Sequence, residues 1–187
     1  LMVGSAFSSE LFRYRGLTSN NPGEFVATMG QLKSVDQTGS HRLTGAVQAV
    51  DGNLFVTDFD GNVVRLIHPS TGEMLASSSL GISGSPSQLL SPRDISIDPN
   101  ENVYVVSANR NTLEQFYTGS SNPDGTQDIK HIGAYASLPT NAEDYSITID
   151  ANNDPIVSWH GLQNGQRVGG VIRVPVVNQT QTIISSG

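Results

Sequence analysis

One strand pattern recurs four times along the chain at intervals of about 50 residues, and that recurrence limits the fold more than any single residue does. An apolar core reads "LMVGS" from Leu1, "NLFVTD" from Asn53, "NVYVVS" from Asn102 and "PIVSW" from Pro155, which aligns Val3, Val56, Val105 and Val157. A polar turn and a second apolar run follow each time: "ELFRYRG", "NVVRLIHP", "TLEQFYTG" and "GVIRVPVV". This alignment is expected to place Arg13, Arg65, Gln115 and Arg173 in one register. A third run follows another turn, with Gly23-Glu24 and Gly72-Glu73 at matching places.

Three of the four units carry one more strand ahead of the core: "GAVQAVDG" from Gly45, "PRDISIDPNE" from Pro92 and "EDYSITIDANN" from Glu143. Ile95 and Ile97, like Ile147 and Ile149, show the period-two alternation of a half-buried strand. Each strand then turns through Asp and Asn ("VDGN", "DPNEN", "DANND"), which predicts two-residue hairpins because Gly and Asn tolerate positive φ. Four antiparallel strands per unit of this length is what a β-propeller blade requires. A duplicated sandwich would not demand that the same strands, turns and Gly-Glu pairs recur four times. The chain is therefore read as an all-β propeller domain with units of approximately 1–42, 43–90, 91–141 and 142–187, the first lacking its innermost strand.

The remaining totals narrow the function. With 10 Lys and Arg against 17 Asp and Glu, the net charge of −7 argues against nucleic acid, whose phosphates need clustered cations. There is no cysteine, so disulfides and thiolate metal sites are excluded. No apolar run reaches the roughly 20 residues of a membrane-spanning helix. Charged residues make up only 14% of the chain, which suits short strands and polar turns.

"SPRDISIDPNENVYVVSANRNTLEQFY" resembles the NHL-repeat pattern, in which a Pro-led inner strand precedes Asp-x-x-Gly/Asn-x-hydrophobic-Tyr-Val and a polar turn. "GNLFVTDFDGNVVRLIHPSTGEML" looks like the same pattern in secreted bacterial NHL-like and streptogramin-lyase-like propellers. The resemblance runs over nearly the whole chain but rests on packing and turn residues, so it speaks for fold more than for function. It implies a ring of six or seven blades. Only three complete units and one without its inner strand can be written here, so the chain is expected to be part of a larger ring. The alternative is a whole chain that closes as four blades or pairs its open strands with a second copy.

In such a ring the ligand face carries the loops between second and third strands and those between blades. Here these include "GSAFSSE", "TDFDGN", "SANRNT" and a long Gly-rich stretch from Trp159 to Gly170, together with the stretch from Gln31 to Gly45 and "GISGSPS". The expected ligand-binding residues on that face are Asp58, Asn109, Arg110, Trp159, His160, Asp94 and Asp144. Asp58, Asp60 and Asn62 of "DFDGN" space oxygens like the start of a calcium loop, but without the later bidentate Glu and where a hairpin needs Asp-Gly anyway. Calcium or magnesium is the only cofactor this leaves to consider. Arg93-Asp94 are matched to Glu143-Asp144, so both Asp side chains should point towards the channel mouth, bonded to backbone N–H groups or forming a small acidic ring.

The resemblance implies His and Glu beside a magnesium ion in streptogramin-lyase-like enzymes. The equivalent positions here hold Asp58, Asn109 and His160, and no Glu follows His160. The other histidines, His41, His68 and His131, do not fall beside it in the sequence. No G-x-S-x-G elbow and no phosphate-cradling loop is present. Asn178-Gln179-Thr180 is a formal glycosylation sequon, meaningful only in a eukaryotic secretory protein. The favoured expectation is a non-enzymatic extracellular, periplasmic or envelope propeller that binds a protein or small molecule on its loop face, or associates with itself. The alternative is a metal-assisted lyase or hydrolase with His160 as base.

Overall fold

The structure, a computed structural model, describes residues 2–4, 10–14, 20, 24–31, 42–78, 89–121, 127–175 and 182–186. Among the described residues fifteen strands fall into four antiparallel sheets that follow chain order. Blade 1 contains β1 (Met2–Gly4), β2 (Glu10–Tyr14) and β3 (Phe25–Gln31). Blade 2 contains β4 (Leu43–Gln48), β5 (Leu54–Asp58), β6 (Val63–Ile67) and β7 (Met74–Ser77). Blade 3 contains β8 (Pro92–Ile97), β9 (Asn102–Ser107), β10 (Thr112–Ser121) and β11 (Gln127–Ser137). Blade 4 contains β12 (Ala142–Ile149), β13 (Pro155–Gln163), β14 (Gln166–Arg173) and β15 (Thr182–Ser186). These are blades of a β-propeller, the first of them showing three strands among the described residues. "GISGSPS", most of "GSAFSSE" and the sequon at Asn178 lie outside the described residues.

Blades pack face to face, so a strand in the middle of a blade has no solvent side. That is why β5 and β9 read as unbroken apolar runs and are buried along nearly their whole length. Between blades 2 and 3 the seam is aliphatic and phenyl: Phe55, Val64 and Leu66 meet Ile95, Val103, Val105 and Phe116. Between blades 3 and 4 it is rich in tyrosine, with Tyr104, Tyr135 and Tyr145 among Val106, Leu113, Ile147, Val157 and Ile172. Tyr104 and Tyr135 meet edge-to-face with ring centres 5.1 Å apart.

The hairpins depart from the two-residue expectation. In "DPNEN" the Asp98 carbonyl accepts the Glu101 N–H, Glu101 takes a left-handed φ of 64°, and the Asp98 side chain accepts from Asn100 and Asn102. "DANND" repeats this through Asp150 and Asn153, and "AVDGN" has Gly52 in the positive-φ place. Three residues form each loop, a turn followed by one left-handed residue; in two of them a leading Asp caps the turn, and in the third Gly52 supplies the positive φ after Ala49.

Conversely, the stretch from Trp159 to Gly170 is not a loop. β13 and β14 pair continuously from Ile156–Arg173 out to Gln163–Gln166, and only Asn164 (φ 53°) and Gly165 (φ 78°) turn. Its glycines serve packing instead: a Cβ at Gly161 would lie 1.9 Å from the Asn141 carbonyl oxygen, and one at Gly169 would lie 2.8 Å from that of Trp159.

The register also corrects two alignments. Val3 pairs with Phe12, Val56 with Arg65, Val105 with Glu114 and Val157 with Ile172. Arg13, Gln115 and Arg173 therefore share a register position, while Arg65 sits one residue earlier and on the opposite face. Likewise Ile95 pairs with Val105 and Ile147 with Val157, so Asp94 corresponds to Ser146, and Asp144 lies two residues upstream on the same face.

Candidate functional site

Each inner strand begins with a break in register at the loop face. The shift lies between Leu43 and Gly45 in β4, between Pro92 and Ile95 in β8, and between Ala142 and Asp144 in β12. The unpaired positions are Thr44, Arg93-Asp94 and Glu143. A bulge re-aims the side chains it carries, and three of these, Thr44, Arg93 and Asp94, line a cavity at the mouth. Two adjoining cavities result. One of about 320 Å³ is lined by Thr44, Arg93, Asp94, Asp144, Tyr145 and Ser146. The other, of about 210 Å³, is lined by Asp144, Tyr145, Ser146, Ser158, Trp159 and His160.

Four of the expected site residues, Asp94, Asp144, Trp159 and His160, thus gather on these two cavities. Asp144 and His160 are paired directly across β12 and β13, which puts both side chains on one face of blade 4. Opposite His160 stands Gly169, which leaves the imidazole room. Trp159 packs against the tyrosine-rich seam.

Asp94 also links two blades. Its Oδ1 accepts the Ile95 N–H at 2.9 Å, while Oδ2 accepts the Ser146 hydroxyl at 2.7 Å and the Ile147 N–H at 3.0 Å. A Cβ at Gly45 would lie 2.8 Å from Asp94 Oδ1, so only glycine lets β8 approach β4 this closely. Asp144 repeats the local bond, its Oδ1 accepting the Tyr145 N–H at 2.9 Å. Tyr145 turns its hydroxyl away, donating to the Pro139 carbonyl at 2.6 Å, and burial pushes its pKa up to about 12. It therefore keeps its proton at neutral pH.

The other expected residues are held elsewhere. Asp58 is fully buried and accepts Nε and Nη2 of Arg65 at 2.9 and 2.7 Å and the Gly61 N–H at 2.9 Å. Asp60 holds Arg42 through a 2.7 Å ion pair. Asn62, left-handed at φ 54°, accepts the Ser91 N–H at 2.7 Å and so ties this turn to blade 3. "DFDGN" thus directs its oxygens to two arginine side chains and three backbone N–H groups, those of Gly61, Ser91 and Arg42, an arrangement that does not fit a cation shared among the three side chains. Among the described residues no three His, Asp or Glu side chains converge as a metal site would need. Asn109 donates to Ser91 Oγ at 2.8 Å, and Arg110 lies in a short 3-10 turn where its charge acts on Glu114.

Sequence reasoning passed over Arg93 as a ligand residue. Its guanidinium lies 4.8 Å from the centre of the Phe59 ring, whose neighbourhood Arg42 shares at 4.1 Å. Its Nε is buried without an acceptor, and among the described residues no carboxylate lies within ion-pair distance of it. A cation following a Pro at a bulge was the available signal.

No family model and no curated protein sequence matches the chain. Solved structures do. A nidogen/laminin complex matches over 97% of this chain and 60% of that one, with a TM-score of 0.61 and 14% identity. The extracellular domain of a putative one-component system from B. thetaiotaomicron matches over all of this chain and 24% of that one, with a TM-score of 0.58 and 16% identity. Virginiamycin B lyase from Staphylococcus aureus, a catalytically inactive form with quinupristin, matches over 97% and 68%, with a TM-score of 0.51 and 13% identity. The chain folds as a β-propeller, and the likeness to streptogramin-lyase-like propellers seen in the repeat extends to three dimensions. It spans about 60% of the length of the nidogen/laminin chain it matches, and these identities speak for the fold alone.

Proposed function

We propose that the chain is the ligand-binding part of a non-enzymatic extracellular or envelope β-propeller, which takes a small molecule or a protein segment at the mouth formed by β4, β8 and β12. The observation that carries this reading is the pair of adjoining cavities that share Asp144, Tyr145 and Ser146, the first lined also by Thr44, Arg93 and Asp94 at the bulges of β4 and β8. The similarity to an extracellular domain and to a protein-complex component supports the setting. No helix among the described residues is long and apolar enough to cross a membrane.

A thermal-shift screen of soluble ligands tests it. A ligand of the mouth stabilises the folded state by about 2.7 kcal/mol at one hundred times its Kd. The shift should shrink in Asp144→Asn and remain in Asp60→Asn, which lies outside both cavities. Shifts unaffected by any substitution at the mouth would remove this reading.

A second reading rests on His160 facing Asp144 beside Ser146 and Ser158, an acid–base pair in a cleft of the kind a lyase or hydrolase uses. Under it His160→Ala and Asp144→Asn each abolish turnover of a candidate lactone or ester. A binding module turns over neither.

A further inference from the structure

We infer that the cavity at Arg93 is a site for a small zwitterion, an amino acid whose carboxylate lies on the Arg93 guanidinium and whose ammonium lies on Asp144. This rests on the reading of the mouth as a binding site and names what it takes.

The donors and acceptors left over in the cavity define the ligand. Thr44 donates its hydroxyl to the Pro92 carbonyl at 2.7 Å, and Ser146 donates its own to Asp94 at 2.7 Å. Both protons are therefore committed, and Tyr145 points elsewhere. Among the described lining residues Arg93 is the one with donors to spare. A guanidinium presents a planar fork suited to a carboxylate, and Phe59 beneath it holds the plane while supplying no acceptor. A buried, unpartnered N–H is a cost that an acceptor from outside removes. This separates Arg93 from Arg173, whose Nε is also buried but whose Nη2 is held by Asp150 at 2.9 Å and Asp154 at 2.7 Å.

Charge decides between a bare anion and a zwitterion. Among the described lining residues one arginine and two aspartates give a net negative charge, which disfavours a simple carboxylate. Asp94 spends its oxygens on Ile95, Ser146 and Ile147, whereas the described residues give Asp144 a single bond, from the Tyr145 N–H. Asp144 is thus the acceptor for a cationic group, with the Ser146 oxygen lone pairs beside it. A ligand with both a carboxylate and an ammonium meets both ends.

Isothermal titration of the purified protein with single amino acids, both α-amino acids and γ-aminobutyrate, tests this. Acetate, lactate and ethylamine serve as half-ligands. At least one amino acid should saturate, with the half-ligands far weaker. Arg93→Gln and Asp144→Asn should each weaken binding about 30-fold or more, the cost of stranding one partner of a desolvated charge pair. Arg93→Lys should recover part of it, and unchanged melting curves would show that the variants fold. If Arg93→Gln does not fold, Asp144→Asn and the half-ligand series carry the test alone.

Absence of saturation by any amino acid overturns the inference, as does equal binding of lactate or insensitivity to Arg93→Gln and Asp144→Asn. If another ligand from the screen still depends on Asp144, the mouth remains a binding site and only its zwitterion assignment falls. If nothing binds there, both fall.

Discussion

Blade 2 and blade 4 fill one register position with opposite chemistry. Arg65 pairs with Val56 across β5 and β6, and Ile172 pairs with Val157 across β13 and β14, so both residues stand on the face turned to the preceding blade. Arg65 is buried with its charge met by Asp58 at 2.7 Å, whereas Ile172 is buried among valines and tyrosines. Blade 3 offers a third solution at the same position, Glu114, 2.7 Å from His131 on the next strand. The blade template thus specifies a position and a volume but not a polarity. Ionic and apolar fillings both work, provided the ion brings its partner.

Four measurements would break or sharpen that comparison. Asp58→Ala should have the largest effect, about 3–5 kcal/mol in urea unfolding, because it strands the Arg65 charge in the seam. If it costs under 1 kcal/mol, the pair is not what holds blade 2 there. Converting the position towards its blade-4 state, with Arg65→Met and Asp58→Asn together, should return stability to within about 1 kcal/mol of the parent, since the Asn oxygen still caps the Gly61 N–H.

The blade-3 solution is sensitive to acid. Burial pushes the Glu114 carboxyl up, but hydrogen bonds from His131 and Thr112 and nearby positive charge pull harder, leaving it below its ordinary 4.5. A lowered folded pKa means the contribution is complete above pH 4.5 and fades as the pH falls through the lowered value. Urea midpoints measured from pH 6 to pH 3 should fall less steeply in Glu114→Gln than in the parent, and parallel curves would remove Glu114 from the acid response. The smallest effect belongs to Ile172→Val, about 0.5–1.5 kcal/mol with no pH dependence of its own.

Most of the fold was legible because it is repeated. Val56, Val105 and Val157 recur at blade spacing, and their burial follows from having a sheet on either side. What the repeat concealed were one-residue offsets. Arg65 looked equivalent to Arg173 because both follow apolar residues in similar runs, but strand register counts residues from the turn, and a bulge or a different loop length shifts the count without changing the composition. The Trp159–Gly170 stretch was misread for a related reason. Its glycines suggested a flexible loop, whereas Gly161 and Gly169 are fixed by close backbone approach, and the Asn164-Gly165 pair is itself a hairpin signal.

The site was half legible. Counting strands puts Asp94, Asp144, Trp159 and His160 at the same end of their blades, and all four line the two cavities. Asp58 was not recognisable as a buried partner of Arg65, because that pairing depends on the hairpin bringing residues seven apart together. Arg93 carries only a faint signal, a cation after a Pro at a strand start, because what singles it out is a missing ion partner, which the sequence does not show.

The inner strands place Gly45, Asp94 and Ser146 at one level around the axis: no side chain, an acid and a hydroxyl. A repeated scaffold would otherwise offer an incoming molecule several equivalent ways to sit, differing by one blade's rotation. These three substitutions remove that degeneracy, and the bond from Ser146 to Asp94 makes the labelling rigid. Across these three blades the opening is therefore keyed, with a distinguishable start and end, even though each blade, alone, is nearly a copy of the last.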